Sequence, residues 1–368
     1  MVSKTKILLI AATTLAASTG VQAGDVPITA ENWTLTEKGA EFVTHKGRMS
    51  IKLNRGGAEL TGKTFKNGII EYDVSMKEAR GFGGAYFRVQ GEDAEYFYLR
   101  PHLSGKPDGN QYVPEFNGLS AWQMYHGNRY STAVDYNFGD WIHVKLAIKD
   151  NKMDVFIDSE KPVLHVDNLA LGTGAGGIRL GGALQDFYYS NINVTYTDDV
   201  MLVGEAMPLK EEAPDLIKSF TVSTKPVSSK DVEAKFTLDP ALLKDQKWMT
   251  LAVNEIGAAN LARISGRTSD ANTLFVKMTM NSDTAKTVFL KYGFSDRVTV
   301  FLNGKAIAYG NDTYVTRDYR YLGTVGLFDS LFLQLNQGDN EVIFAVTEGF
   351  GGWAFLAAMA DVPGVTLS

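Results

Sequence analysis

Apolar and polar residues alternate along most of this chain, and apolar positions with helical spacing are nearly absent. Short runs rich in Val, Ile, Tyr and Phe recur between Gly, Asn and Asp turn signals, a pattern that predicts β-strands. In the first half we predict strands near residues 48–53, 68–76, 84–90, 95–100, 120–125, 141–149, 152–157, 176–180 and 186–196. In the second half we predict strands near residues 218–222, 232–236, 250–253, 273–280, 287–292, 297–302, 305–309, 331–335, 341–346 and 353–360, and a short helix capped by Asp239 before Pro240. The fold class is therefore expected to be all-β.

Two residue pairs predict tight hairpins. Asp150-Asn151 separates the alternating runs IHVKLAIK and KMDVFID, and Asn303-Gly304 separates VTVFL from KAIAY. Both pairs are typical of two-residue turns between antiparallel strands. These hairpins are interpreted as scaffold.

The strand pattern stops at residues 201–215, MLVGEAMPLKEEAPD, which contain two prolines and an acidic cluster. No strand ladder can run uninterrupted through such a segment. The chain has 368 residues, longer than a typical domain of roughly 100–200 residues. We therefore predict two β-sandwich (jelly-roll) domains, residues 24–200 and 216–368, joined by a linker at 201–215.

The first residues predict export. Lys4 and Lys6 precede an apolar run, and Val21-Gln22-Ala23 offers a cleavage site, so residues 1–23 are interpreted as a signal peptide. No later run approaches the roughly 20 apolar residues of a membrane span. The chain has no cysteine, which excludes disulfides and thiolate sites. A periplasmic or secreted protein is expected.

Charge argues against nucleic acid as a partner. The formal net charge is −6, and no basic patch is interleaved with aromatic residues. Nucleic-acid-binding surfaces combine such features.

One segment carries the strongest candidate chemistry. In EYFYLRPH, Tyr96, Tyr98, Arg100 and His102 alternate with apolar residues, so they are expected on one strand face. Aromatic rings, a guanidinium and an imidazole stack on sugar rings and hydrogen-bond to hydroxyls and carboxylates. Further candidates come from the preceding strand, from the long loop 103–119 and from the segment 120–126 that follows this loop. The predicted ligand-binding set is Tyr86, Arg88, Tyr96, Tyr98, Arg100, His102, Asn117, Trp122 and His126.

Two family resemblances follow from runs of residues. FKNGIIEYDV at 65–74, GGAYFRVQ at 83–90, YFYLRPH at 96–102, WIHVK at 141–145 and YYSNINV at 188–194 resemble the concanavalin A-like lectin/glucanase fold, in particular its laminin-G-like and 3-keto-glycoside hydrolase-type domains. SDRVTVFLNGKAIAYG at 295–310, LQLNQGDNEVIFAV at 333–346 and GGWAFLA at 351–357 resemble the galactose-binding-like jelly rolls of many glycoside hydrolases. The first resemblance implies a carbohydrate ligand on the concave face of the N-terminal sandwich.

Catalysis and simple binding both remain open. The glucanase branch of the resembled fold carries an E-x-D-x-x-E strand, whereas here Glu71 and Asp73 share a face and Met76 stands in the third position. A lyase needs no carboxylate pair, since Tyr98, Arg100, His102 and His126 are able to bind and move protons. The alternative to a binding protein is therefore a hydrolase or lyase that uses these residues.

Cofactors are not expected, apart from structural calcium. Calcium takes oxygen ligands, which Asp108-Gly109-Asn110 and Gly310-Asn311-Asp312 contain. Most such loops are ordinary turns. His143 and His165 lie in strands assigned to the scaffold and are interpreted as structural.

Overall fold

The structure is a computed structural model and describes residues 22–36, 38–316 and 324–368. Most of the predicted signal peptide lies outside the described residues. The first half forms β1 (Gln22–Asp25), β2 (Trp33–Leu35), β3 (Ala40–His45), β4 (Arg48–Leu60), β5 (Gly68–Ser75), β6 (Phe82–Gln90), β7 (Asp93–Leu99), β8 (Asn110–Phe116), β9 (Leu119–Ser120), β10 (Ile142–Lys149), β11 (Lys152–Ile157), β12 (Leu164–Val166) and β13 (Gly177–Tyr196). These strands form one antiparallel sheet with the path β12-β11-β10-β5-β13-β6-β7-β8-β9, and β1 to β4 join it through β13 and β4.

The 20-residue strand β13 organises this first unit. Its first part pairs with β6 and its second part with β5, so the sheet turns back on itself along this one strand. The inward faces of both parts meet in one core that includes Phe87, Phe97, Tyr72 and Leu146. The first unit is therefore a β-sandwich made from a single curled sheet.

The second half forms β14 (Ser219–Ser223), α1 (Ala241–Lys244), β15 (Trp248–Ala252), β16 (Ala259–Asn260), β17 (Thr273–Ser282), β18 (Lys286–Ser295), β19 (Arg297–Leu302), β20 (Lys305–Asn311), β21 (Asp329–Leu335), β22 (Gly338–Thr347), β23 (Ala354–Ala358) and β24 (Val365–Leu367). One sheet follows the path β15-β14-β17-β22-β19-β20, with β24 on β17, and the other follows β16-β23-β18-β21. Apolar residues of both sheets, such as Val276, Phe344 and Leu290, share a core. The all-β, two-sandwich fold class is confirmed.

The two units pack directly on each other. Phe116 of β8 belongs to the core of the second unit, and Leu356 of β23 belongs to the core of the first. Polar contacts add to this apolar junction, because Asn117 Nδ2 donates to Ala262 O (2.8 Å) and Ser295 Oγ donates to Gln123 Oε1 (2.8 Å). The linker bounds remain a prediction, and the described residues between β13 and β14 contain no strand.

Both predicted hairpins are present. Lys149 lies opposite Lys152 across the Asp150-Asn151 turn, and Leu302 lies opposite Lys305 across Asn303-Gly304. Asn303 and Gly304 have φ of 48° and 78°, the left-handed conformation that Asn and Gly adopt most readily. The short helix is also confirmed, and Asp239 Oδ1 accepts a hydrogen bond from Ala241 N (2.9 Å).

Three strand predictions are wrong. Of residues 120–125 only Ser120 is in a strand, because the chain then turns over the edge of β8 toward the second unit. Residues 232–236 form no strand; Val232 alone is buried, and Phe236 is 90% exposed. The two strands predicted at 176–180 and 186–196 are one strand, β13, whose register shifts between Ala183 and Phe187.

Candidate functional site

Three of the predicted residues form a stack, here called the tyrosine ladder: Tyr86, Tyr96 and Tyr98. Tyr86 lies opposite Tyr96 in the register of β6 and β7. Their ring centroids are 3.7 Å apart, and those of Tyr96 and Tyr98 are 4.9 Å apart. The Arg179 guanidinium lies 4.1 Å from the Tyr86 centroid, and the Arg100 guanidinium lies 5.1 Å from that of Tyr98. The ladder is thus closed at both ends by arginine.

In this stack the tyrosine rings contact one another through the same ring faces on which a sugar would stack. Tyr96 and Tyr98 are only 7% and 5% exposed, and burial raises the pKa of Tyr98 to about 12. The Tyr98 hydroxyl donates to Gln111 Oε1 (2.6 Å) and accepts from Arg100 Nη2 (2.6 Å). Each ladder ring is therefore covered by a neighbouring ring or guanidinium, and the edges of the rings are what the ladder presents.

His102 lies near the end of the ladder but not on the strand. β7 ends at Leu99, and Pro101–Leu103 form a 3-10 turn, so the predicted alternation stops before His102. Phe82 connects the two, at 6.0 Å from Tyr98 and 5.6 Å from His102 between ring centroids. Burial and the nearby arginines Arg80 and Arg100 lower the pKa of His102.

The position of Arg88 contradicts the prediction that this residue shares a ligand-binding surface with the tyrosines. It has a φ of 53° within a register shift of β6, which turns its side chain away from the ladder. The guanidinium is fully buried and donates to Lys66 O, Asn67 Oδ1, Gly172 O and Asp150 O. Arg88 therefore stabilises loop backbone and has no exposed surface for a ligand.

The remaining predicted residues lie apart from the ladder. Asn117 is tied to Ala262 of the second unit. Trp122 contacts two aromatic rings of that unit, Tyr314 at 6.0 Å and Phe350 at 6.1 Å. His126 follows on an exposed turn. The candidate set is therefore divided among the ladder, the junction of the units and the surface.

The oxygen-rich loops are engaged by protein partners. Asp108 pairs with Arg100, and Asn110 Nδ2 donates to Thr132 O (3.0 Å). Asn311 Oδ1 accepts from Thr313 N (3.1 Å). Among the described residues, no group of three or more His, Cys, Asp or Glu side chains is arranged to hold a metal ion. Over the same residues, no helix has the length and apolar character needed to cross a membrane.

A second polar cluster, which sequence reasoning did not assemble, surrounds Asp73 on the outer face of β5. Asp73 Oδ2 accepts from Arg48 Nη1 and Asn191 Nδ2, both at 2.7 Å. Asp73 Oδ1 lies 2.8 Å from His143 Nδ1. The side chain of Asp73 is 13% exposed, whereas those of its partners Arg48 and His143 are 41% and 48% exposed. One sheltered carboxylate thus positions three open side chains.

The Asp73 contact also assigns the histidine tautomer. A carboxylate only accepts hydrogen bonds, so His143 Nδ1 carries the proton that it donates to Asp73. The other ring nitrogen, Nε2, lies 3.7 Å from Glu71 Oε1, a contact that becomes an ion pair when the ring is protonated. A histidine held in this way by a carboxylate is oriented for proton transfer.

These groups open into a cavity of about 700 Å³, here called the Asp73 groove. It is lined by Asp25, Val26, Ile28, Arg48, Met49, Glu71, His143 and Ser190 to Asn193. Aromatic side chains flank it: Arg48 lies 5.1 Å from the Trp141 centroid, and His45 stacks on Tyr188 at 3.7 Å. The groove itself is lined by hydrogen-bonding and aliphatic groups, and the aromatic rings adjoin it through Arg48.

The signals for this site were only partly visible in the sequence. Glu71 and Asp73 were recognised as sharing a strand face, but His143 was assigned to the scaffold because it lies in a regular hairpin strand. Strand pairing places His143 directly opposite Asp73. Asn191 has a φ of 47° inside a register shift of β13, and no residue pattern indicated that bulge.

Comparison with known proteins gives structural neighbours only. No family model and no curated protein matches the chain. Among solved structures, a carbohydrate-binding module from Bacillus subtilis is 10% identical, with 44% of this chain and 95% of that chain covered and a TM-score of 0.32. A β-glucanase from Bacillus licheniformis is 10% identical, with 49% and 99% covered and a TM-score of 0.38. A Bacillus subtilis protein of unknown function with a galectin-like fold is 14% identical, with 45% and 89% covered and a TM-score of 0.35.

Proposed function

We propose that the protein is an exported carbohydrate-binding protein whose glycan occupies the Asp73 groove. The observation that carries this proposal is the triple contact of Asp73, which fixes Arg48, His143 and Asn191 at the wall of one open cavity. Sugars present adjacent hydroxyls that both donate and accept, and preorganised planar side chains bind such pairs with little loss of side-chain entropy.

The flank of the groove supplies the apolar contact that a sugar ring needs. Trp141 is partly exposed beside Arg48, and its edge meets the His45 ring at 5.6 Å. Aromatic rings bury apolar C–H surface while neighbouring polar groups take the hydroxyls. The polar side chains of the groove are exposed to a ligand, whereas the ring faces of the tyrosine ladder are covered by one another.

The cellular location of the protein and the family assignment of each unit also belong to this proposal. The signal-peptide pattern supports a periplasmic or secreted location. The residue runs named above support a concanavalin A-like assignment for the first sandwich and a galactose-binding-like assignment for the second. The second unit is then an accessory that packs against the glycan-binding unit.

A catalytic role is the second candidate, favoured by one observation. His143 is held by Asp73 through Nδ1, and its Nε2 lies at the groove beside Glu71. A histidine oriented by a carboxylate is the usual form of a general base. Hydrolysis or elimination in the same groove would use His143, not the histidines proposed from the sequence.

The test compares glycan binding by three variants on an oligosaccharide array. Asp73→Asn keeps the shape but removes the charge that orients Arg48 and His143, so retention is expected to fall by about tenfold or more. Tyr86→Phe alters the tyrosine ladder and is expected to leave retention unchanged. Lys152→Ala removes an ion pair of the same unit, with Asp167 at 2.6 Å, and serves as the matched control.

Two results decide between the alternatives. Retention that survives Asp73→Asn but is lost in Tyr86→Phe would move the site to the ladder. Any bound glycan is then incubated with the wild type and analysed for reducing ends and unsaturated products. Product that disappears in His143→Ala, with binding retained, establishes the catalytic alternative.

A further inference from the structure

The charges at the Asp73 groove are predominantly negative. Asp25 and Glu71 line the cavity, and Asp73 lies behind the lining residue Arg48, which donates to it. Arg48 is the cation that lines the cavity, and its guanidinium is paired with Asp73 at 2.7 Å. The carboxylates at the groove therefore outnumber its arginine, and His143 is the other basic group among the described lining residues.

A nearby lysine does not offset them. Lys145 lies opposite Glu71 in the register of β10 and β5. Its ammonium, however, lies 4.0 Å from the centroid of the Phe156 ring, on the side of β11. Among the described residues, Glu71 Oε1 lies 3.7 Å from His143 Nε2, a contact that is an ion pair only when the ring is protonated. Glu71 therefore has no lysine or arginine partner among these residues, and its side chain is 30% exposed.

The uncharged groups of the groove are also mainly acceptors. Asn193 Oδ1 is buried and has no hydrogen-bond partner among the described residues. Asn191 Nδ2 is used by Asp73, which leaves its amide oxygen. His143 Nδ1 is held by Asp73, which leaves Nε2 as the ring nitrogen available to a ligand. A buried acceptor without a partner costs free energy unless a donor reaches it.

We propose that the Asp73 groove selects saccharides rich in hydrogen-bond donors, neutral or amino-bearing, and excludes saccharides that carry carboxylate or sulfate groups. This inference rests on the proposed function and specifies its ligand class. Hydroxyl and ammonium groups donate to Glu71, Asp25 and Asn193, whereas carboxylates and sulfates only accept and share the sign of the groove charge.

The test is titration calorimetry with four hexasaccharides: cellohexaose and mannohexaose as neutral probes, fully deacetylated chitohexaose as the amino probe, and hexagalacturonate as the acidic probe. At least one of the first three is expected to bind about tenfold or more tightly than hexagalacturonate, as expected for like charges at short range. Glu71→Gln removes one groove carboxylate, so the ratio between the affinity of the tightest neutral or amino probe and that of hexagalacturonate should fall by about threefold or more. Glu92→Gln, in the turn between β6 and β7, makes the same charge change outside the groove and should leave it unchanged.

Each outcome is decisive. Tighter binding of hexagalacturonate than of all the other probes overturns this inference and leaves the proposed function intact. Selectivity that is equal in Glu71→Gln and Glu92→Gln also overturns it, because the groove charge is then not its cause. Absence of binding for all four probes overturns the proposed function together with this inference.

Discussion

At the residue scale, buried ionisable groups of the first unit serve the fold. Arg88 satisfies carbonyl oxygens of Lys66, Asp150 and Gly172, which belong to three different loops. Glu95 satisfies buried donors, because its carboxyl group accepts hydrogen bonds from the Tyr112 hydroxyl (2.6 Å) and from Leu171 N (2.8 Å). Buried polar groups of this kind are costly to leave unpaired.

Arg88→Met is expected to destabilise the protein by about 2–4 kcal/mol, because several buried acceptors lose their donor together. Arg88→Lys should recover only part of this loss, since one ammonium cannot replace a planar fork of donors. Arg55→Met, on an exposed position of β4, is the control. Urea denaturation followed by tryptophan fluorescence measures the change. Equal stability of the Arg88 and Arg55 variants would contradict this structural role.

Glu95 should make stability fall as pH rises. Burial raises its pKa to about 7 in the folded protein, whereas an unfolded glutamate titrates near 4.3. Between these values the folded protein keeps a proton that the unfolded chain has lost, so the stability contributed by Glu95 declines by up to about 4 kcal/mol and becomes constant above about pH 8. Urea denaturation at pH 5 and pH 8 should show a flatter dependence in Glu95→Gln than in the wild type. Parallel dependences in the two proteins would contradict the assignment.

At the element scale, the bulge of β13 connects backbone conformation to the Asp73 groove. Asn191 has a φ of 47°, which Gly tolerates and a β-branched residue does not. Asn191→Gly should keep the melting temperature near that of the wild type but weaken glycan binding, because the hydrogen bond from Asn191 Nδ2 to Asp73 Oδ2 is lost. Asn191→Val should lower both, with a stability loss of about 1–2 kcal/mol. Thermal denaturation and calorimetry measure the two effects, and unchanged binding in Asn191→Gly would exclude this amide from the site.

Regular strands were readable from the sequence, and bulges were not. Alternation identified β5, β6, β7, β10 and β11, and turn residues located the β10–β11 and β19–β20 hairpins. Register shifts at Arg88 and Asn191 reverse or displace side chains locally, and they depend on pairing with strands distant in sequence. Alternation therefore placed Arg88 with the ligand residues, and no pattern connected Asn191 to Asp73.

Site residues were harder to predict than strands for a related reason. Tyr96 and Tyr98 are correctly expected on one strand face, but the stack that covers their rings also needs Tyr86 from β6, which is itself covered by Arg179 of β13. His143 and Asp73 are 70 residues apart and become partners only through the register of β10 and β5. Function at this site depends on long-range pairing that single-sequence patterns do not contain.

At the scale of the whole molecule, the start of the linker is held against the first unit, whereas its middle is exposed. Val203 N and Gly204 N donate to the buried Asp154 at 2.7 and 2.9 Å, so the start of the linker is held on the first unit. Residues 208–212 are exposed. Limited trypsin digestion is therefore expected to cut first after Lys210. Initial cleavage inside either sandwich would contradict the predicted division.

After that cut, the two fragments should stay together. Glu255 accepts from Asn168 Nδ2 (3.0 Å) and the Tyr130 hydroxyl across the junction, and Phe116 is buried in the partner core. Size-exclusion chromatography of the nicked protein should show one peak at the intact size. Glu255→Ala should increase dissociation in dilute samples, and Glu205→Ala in the linker is the control.

The pairing of β1 with β13 has a mechanical consequence. After removal of the predicted signal peptide the chain starts at Gly24, which lies opposite Val194, so this start and the C-terminal end of β13 lie at the same end of the strand pair. Tension applied between these two points loads the hydrogen bonds one after another, as in opening a zipper, and not all at once as in sliding two strands apart. β1 ends at Asp25, which lines the Asp73 groove. A pulling force applied at these points is therefore expected to move Asp25 away from the groove before the core of the sandwich opens.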